Sequence, residues 1–159
     1  MYLAYIGKKG AKIMSLQEPG KKMSKSDTNA NATILLLDDT DTIIRKFKRA
    51  VTDSESEVRY AEEKPGISNL MDIYSAVTGK TYEEIEKEFA GKGYGDFKLA
   101  VGETVADHLK PLQERYEQLM KDKAYIESMI KQNDEKAAYY ANKTLRKVQK
   151  KVGLTERIR

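Results

Sequence analysis

Cysteine is absent from the 159 residues, which excludes a disulfide framework and any cysteine-ligated metal centre. That absence fits a cytoplasmic protein, where thiols stay reduced. The one histidine, His108, sits beside Asp107 without the partners a metal site needs. It reads as a partly exposed structural residue. No apolar run approaches the ~18 residues that a membrane span requires. The opening Met1-Tyr2-Leu3-Ala4-Tyr5-Ile6 is too short for a signal-peptide core and lacks its basic flank. No internal repeat or low-complexity tract is present.

What is there suits a folded, helix-rich chain: 40% hydrophobic and 34% charged residues, outside the composition of disordered segments. The length allows one domain with a core, or a domain plus part of another. Net charge is +4, but residues 131–159 alone carry +6 and the rest −2. A basic C-terminal stretch suggests a polyanionic partner; a solvated helix face is the alternative.

The short apolar run Ile13-Met14-Ser15-Leu16 reads as a buried strand leading into a loop. Thr33-Ile34-Leu35-Leu36-Leu37 is strand or helix. Asp38, Asp39 and Asp41 offer N-caps, or a place for Mg2+, with capping the more ordinary use of acids before a helix. The following helix sets Ile43, Ile44, Phe47, Ala50 and Val51 on one face and Arg45, Lys46, Lys48 and Arg49 on the other. Thr52-Asp53-Ser54-Glu55 is a solvated turn or an RNA-contacting corner.

Pro65-Gly66 marks a break, Ser68 caps a helix ended by Gly79, and Thr81 with Glu84 forms a capping box for a helix that Gly91 ends. Residues 97–131 read as a long helix bent at Pro111. Leu109, Leu112, Tyr116, Leu119, Ile126, Met129 and Ile130 form its core stripe. Asn133-Asp134 starts a final helix ended by Gly153.

On that last helix, at about 100° per residue, Ala137, Ala141, Leu145, Val148 and Val152 share one side. Lys136, Lys143, Arg146, Lys147, Lys150 and Lys151 lie opposite, with Tyr139 and Tyr140 among them. Cations interleaved with aromatic rings suit gripping a nucleic-acid backbone and stacking on bases. Packing of the tyrosines on another helix is the alternative.

The chemistry concentrates in Lys22-Met23-Ser24-Lys25-Ser26. Two lysines separated by small residues suit a polyphosphate. Each ammonium is a mobile point charge with three donors, and hydroxyls and exposed amides add further donors.

This string resembles the second signature, KMSKS, of the class I aminoacyl-tRNA synthetases. Gly10-Ala11-Lys12-Ile13-Met14-Ser15-Leu16 and Pro19 before it are similar to the tryptophanyl-tRNA synthetase form. So are Ala50-Val51-Thr52-Asp53-Ser54, Lys64-Pro65-Gly66-Ile67-Ser68-Asn69-Leu70, Gly91-Lys92-Gly93-Tyr94-Gly95-Asp96-Phe97-Lys98 and Pro111-Leu112-Gln113-Glu114-Arg115-Tyr116. The tyrosyl enzymes are the near relatives.

The resemblance implies a mainly α chain in two parts. Residues 1–37 would be the last strand and KMSKS loop of a Rossmann-like catalytic domain, and residues 38–159 a helical anticodon-binding bundle. It implies activation of tryptophan by ATP with Mg2+, transfer to tRNA, and a homodimeric enzyme. Lys22 and Lys25 would stabilise the pyrophosphate leaving group. Ile13, Lys22, Met23, Ser24, Lys25 and Ser26 would bind ATP, with Ile13 against adenine, Met23 as a packing anchor, and the serines on phosphate or shaping the loop. Lys136, Tyr139, Tyr140, Lys143, Lys147 and Lys150 would bind tRNA.

The other class I signature resembles HIGH and lies far upstream of KMSKS in the family, yet only 21 residues precede Lys22. The chain therefore reads as a C-terminal half that is inactive alone. A stand-alone tRNA-binding module and a tyrosyl-type fragment are the alternative readings.

Overall fold

The computed structural model describes residues 10–154. Residues 1–6, discussed above, and Arg157 and Arg159 of the basic stretch lie outside them. The chain divides into two compact units, one reaching to Gln113 and the other starting at Glu114.

The first unit holds α1 (Thr40–Lys48), α2 (Pro65–Thr78), α3 (Tyr82–Glu88) and most of α4 (Tyr94–Lys121). Asp39 caps α1 by accepting the Thr42 amide at 2.7 Å. That bond lies first among the causes that lower its pKa. The expected break at Pro65-Gly66 is instead the first turn of α2. Proline is preset for that position and loses no bond there. Ser68 is therefore helical, and its hydroxyl brackets Ala61, donating to the carbonyl at 2.8 Å and accepting the amide at 3.1 Å. Gly79, in the left-handed region at φ 79°, ends α2, and Thr81 with Glu84 forms the expected capping box of α3.

Phe47, Ile67, Leu70, Met71, Ile85, Phe97 and Val101 are the buried centre of this unit. Each such side chain contributes roughly 1.5–3 kcal/mol by leaving water. Tyr74, Phe89 and Phe97 meet edge-to-face, with centroids 4.8–6.0 Å apart. Two glycines are set by close approach. A Cβ on Gly66 would stand 2.3 Å from the Val51 carbonyl oxygen, and one on Gly102 would stand 3.0 Å from Ile44 Cα.

No strand forms among the described residues. The one expected at Ile13–Leu16 is a single antiparallel bridge between Met14 and Lys22. Beside that bridge, the Asn69 side chain takes both backbone groups of Met14, and Leu16 pairs with Ala32 and Val51. The run 33–37 is neither strand nor helix: Asp38 Oδ2 accepts the Leu35 amide and folds it into a turn.

The second unit contains the end of α4 and all of α5 (Lys123–Val152). Two boundaries differ from expectation. Helix α4 runs unbroken through Pro111. The interruption falls at Asp122, whose carboxylate caps α5 on the Tyr125 amide at 2.9 Å. Helix α5 is continuous past Asn133 and Asp134, and Gly153 ends it at φ 73°. The expected core stripe is not buried. Leu109 packs on the first unit's core, but Leu112, Tyr116, Met129 and Ile130 are exposed. The periodicity was amphipathic, but within α5 itself no side chain is buried.

Candidate phosphate loop and helical surface

The 22–26 loop is one arm of a short hairpin. Buried Ser15 starts its turn, its hydroxyl accepting the Gln17 and Glu18 amides at 3.3 and 3.2 Å. The Lys21 amide donates to the Glu18 carbonyl at 2.8 Å, and their side chains form an ion pair. The arms then pair: Ser15 N to Lys21 O at 2.8 Å, Met23 N to Ile13 O at 3.0 Å.

The hairpin is fastened to the rest of the first unit by both backbone and side chains. Leu16 donates to Ala32 at 3.0 Å and accepts from the Val51 amide at 2.8 Å. The Asn69 side chain accepts the Met14 amide at 2.8 Å and donates to its carbonyl at 2.9 Å. Gln17 Nε2 donates to Arg49 O at 2.8 Å.

On this base the structure places the candidate residues in one continuous segment. Ile13 and Met23 are half-buried against the core. Lys22, Ser24, Lys25 and Ser26 are exposed. Neither Lys22 nor Lys25 has an ion-pair partner among the described residues. The Ser24 and Ser26 hydroxyls stand 3.1 Å apart, and the Ser24 hydroxyl accepts the Ser26 amide at 3.3 Å. Ser24 therefore shapes the loop. The Ser24 carbonyl accepts Thr33 Oγ1 at 2.7 Å and the Asp27 amide at 3.2 Å.

Asp38 and Asp39 are engaged by the Leu35 amide, Lys46 and the Thr42 amide, and Asp27 by the Asn29 amide. Among the described residues no three acidic or histidine side chains gather to hold a metal. These residues do not fit a built Mg2+ site. His108 is exposed on α4.

The six tRNA-binding candidates Lys136, Tyr139, Tyr140, Lys143, Lys147 and Lys150 all lie on α5 and are exposed. The Tyr139 and Tyr140 rings meet edge-on at 5.4 Å, and the Lys143 ammonium stands 6.0 Å from the Tyr139 centroid. A shallow hollow is lined by Gln132, Glu135, Lys136, Tyr139 and Tyr140.

Sequence reasoning missed two groups. Lys46, expected on the outer basic face, is buried, with its ammonium 2.5 Å from Asp38 and 2.9 Å from Thr33 O. The signal was its spacing, three residues from Ile43 and four from Ala50, which puts it on the core face. The second group surrounds Asp53, whose carboxylate is held by two side chains and not left to solvent. Its Oδ1 accepts Tyr94 Oη at 2.8 Å and Lys64 Nζ at 3.3 Å. Lys64 also donates to Tyr94 Oη at 2.9 Å and pairs with Glu55.

Residues 8–110 match the family described as tRNA synthetases class I (W and Y). The chain belongs to that family. A relative from Clostridium tetani, a tryptophan–tRNA ligase, is 52% identical over 149 residues, covering 94% of this chain and 44% of the relative. One of the same name from Clostridium perfringens is 50% identical over 153 residues, covering 96% and 46%. The tryptophanyl-tRNA synthetase structure from Mycoplasma pneumoniae superposes with a TM-score of 0.76 at 29% identity, covering 94% of this chain and 45% of that one. The chain thus spans less than half the length of these relatives. Among the described residues no helix is long and apolar enough to cross a membrane.

Proposed function

We propose that these residues supply the phosphate-gripping loop and a tRNA-binding helical part of a tryptophan–tRNA ligase. Residues 1–37 would belong to its catalytic part and residues 38–159 to the helical part. The observation that carries this reading is the 22–26 loop: a hairpin fixed at its base, with Lys22 and Lys25 both facing solvent, in a class I chain whose curated relatives are tryptophan–tRNA ligases.

In adenylate formation the tryptophan carboxylate attacks the α-phosphorus of ATP, and pyrophosphate leaves with the electron pair of the broken bond. Negative charge grows on that leaving group. Lys22 and Lys25 neutralise it, and this accelerates the step only as far as their contacts tighten in the transition state. An exposed loop on a firm base can close on ATP while its anchors stay in place. Ile13, half-buried beneath the loop, offers backbone to the adenine. Charge along α5 then draws the tRNA.

In a full-length enzyme carrying these residues, Lys25→Ala slows adenylate formation on the order of a hundredfold and changes tryptophan affinity little. Equal losses in both would overturn the role. The 159-residue chain by itself gives no tryptophan-dependent ATP–pyrophosphate exchange; robust exchange would overturn this division of labour.

A further inference from the structure

The buried Lys46 ammonium is one end of a polar strap that finishes inside the phosphate loop. Lys46, with 7% of its side chain exposed, donates to Thr33 O at 2.9 Å and pairs with Asp38, itself 13% exposed. Asp38 Oδ2 also accepts the Leu35 amide at 2.9 Å. Gln113 Nε2 holds the same stretch by the Leu36 and Asp38 carbonyls, both at 2.9 Å. The backbone of 33–38 is thereby tied to α1 and α4. From it the Thr33 hydroxyl reaches the Ser24 carbonyl at 2.7 Å.

That carbonyl lies between the two loop lysines. It shares one planar trans peptide with the Lys25 amide, so the two groups point in opposite directions. Drawing the Ser24 oxygen toward Thr33 turns the Lys25 N–H to the far side of the loop. A backbone N–H aimed at an anion is a fixed donor that adds to the mobile ammoniums.

We propose that Lys46 is a positioning residue for the phosphate loop, acting through Thr33 on the orientation of the Ser24–Lys25 peptide. The role rests on the loop being a polyphosphate grip. A lysine suits it because one ammonium can hold a carboxylate and a backbone carbonyl together. An apolar side chain at the same place would pack but would leave Asp38 without its cation and Thr33 O without its donor. Thr33 has a matching requirement: a hydroxyl is needed, whereas its methyl is replaceable.

The test uses the 159-residue chain with three readouts: amide hydrogen exchange at Asp27, whose N–H also binds the Ser24 carbonyl; affinity for pyrophosphate; and melting temperature. Thr33→Val keeps the shape and removes the donor, Thr33→Ser restores it, and Lys46→Met keeps the stem. Thr33→Val and Lys46→Met speed exchange at Asp27 and weaken pyrophosphate binding by about 3- to 10-fold, the worth of one hydrogen bond. Thr33→Ser stays near wild type in both. Wild-type exchange and affinity in Thr33→Val would overturn the proposal. So would a Lys46→Met protein that melts earlier while Asp27 exchange is unchanged, which marks a purely structural lysine. Should Lys46→Met fail to fold, the Thr33→Val and Thr33→Ser pair decides.

The loop's own role is judged separately. The double substitution Lys22→Ala with Lys25→Ala abolishes pyrophosphate binding and leaves Asp27 exchange at the wild-type rate. A wild-type chain that does not bind pyrophosphate would sink the phosphate grip, and the strap's role in positioning for phosphate with it. Unchanged exchange in Thr33→Val beside intact pyrophosphate binding would sink the strap alone.

Discussion

Asn69 on α2 completes both backbone hydrogen bonds of Met14, accepting its amide at 2.8 Å and donating to its carbonyl at 2.9 Å. One side-chain amide thus takes the place of a neighbouring strand. Met14 is the residue that bridges Lys22 across the hairpin, so a helix side chain registers the start of the 22–26 loop. Asn69 is buried, and no other neutral side chain of its size offers a donor and an acceptor in one plane.

Asn69→Leu removes both bonds and strands the amide and carbonyl of Met14. A buried polar group without its partner costs about 1–3 kcal/mol, so the substitution should destabilise by about 2–4 kcal/mol in urea unfolding. Asn69→Asp keeps the acceptor only and should fall between. Limited proteolysis reports the local effect: cleavage within residues 21–30 should rise more than cleavage within α3. Equal increases at both places would mean that Asn69 serves the core in general and the hairpin no more than the rest.

Gly66 and Gly95 both sit in the first turn of a helix, yet they should respond oppositely to alanine. At Gly66 the added Cβ meets the Val51 carbonyl oxygen at 2.3 Å and Thr52 Cα at 3.0 Å, whereas at Gly95 nothing lies within 4 Å. Backbone must shift to admit Gly66→Ala, at a cost of roughly 1–3 kcal/mol or more. Gly95→Ala should stabilise α4 by up to about 0.5–1 kcal/mol through helix propensity. Thermal melts of the two variants, read side by side, check the sign of each.

The Asp53 cluster gives the first unit an acid-sensitive joint. Burial works to raise the Asp53 pKa, but hydrogen bonds from Tyr94, the Glu55 amide and Lys64 together outweigh it and hold the carboxyl below its ordinary range. A depressed folded-state pKa means that the unfolded chain binds the proton more readily. The stabilisation is therefore present above about pH 4 and is lost as pH falls through the lowered value. Asp53→Asn should flatten the acid limb of the urea midpoint between about pH 5 and pH 2. Lys64 is shifted the other way, raised above the ordinary lysine value by its bonds to Glu55 and Tyr94. Its contribution is complete below about pH 10 and declines only above the raised value. The part of the midpoint that Lys64→Met removes should accordingly stay constant from neutral pH to about pH 10, and an earlier alkaline decline in that part would contradict the assignment.

Local signals reached some features and could not reach others. The capping box at Thr81, the Gly79 and Gly153 stops and the Asp39 cap were legible because each depends on a few adjacent residues. The loop's exposed lysines were legible for the same reason. Asn69 and Lys64 were not read as buried because their partners lie 55 and 30 residues away, whereas Lys46 carried a local signal, its spacing from Ile43 and Ala50, that its charge masked. A polar residue on a helix reads as solvated until its partner is located. The long helix was read through Pro111, as α4 runs, but its end at Lys121 was not, because Lys121-Asp122-Lys123 carries neither glycine nor proline to mark a stop. The stripe along α4 and α5 was read as core because periodicity reports amphipathicity and does not report what covers the apolar side.

The basic side of α5 should make tRNA binding strongly dependent on salt. Each phosphate neutralised by a lysine adds about −0.9 for duplex or −0.7 for single-stranded contacts to the slope of log K against log salt. Lys143→Ala and Lys147→Ala should each reduce the slope by roughly one and weaken binding similarly for different tRNAs. Tyr139 and Tyr140 carry a different term. Their rings are exposed and meet edge-on at 5.4 Å, so each keeps a face on which an unpaired base can stack. Tyr140→Ala should cost about 1–3 kcal/mol of binding and leave the salt slope unchanged. Filter-binding titrations at several salt concentrations separate the two effects. A tyrosine variant that lowers the slope, or lysine variants that leave it untouched, would place the RNA on another surface.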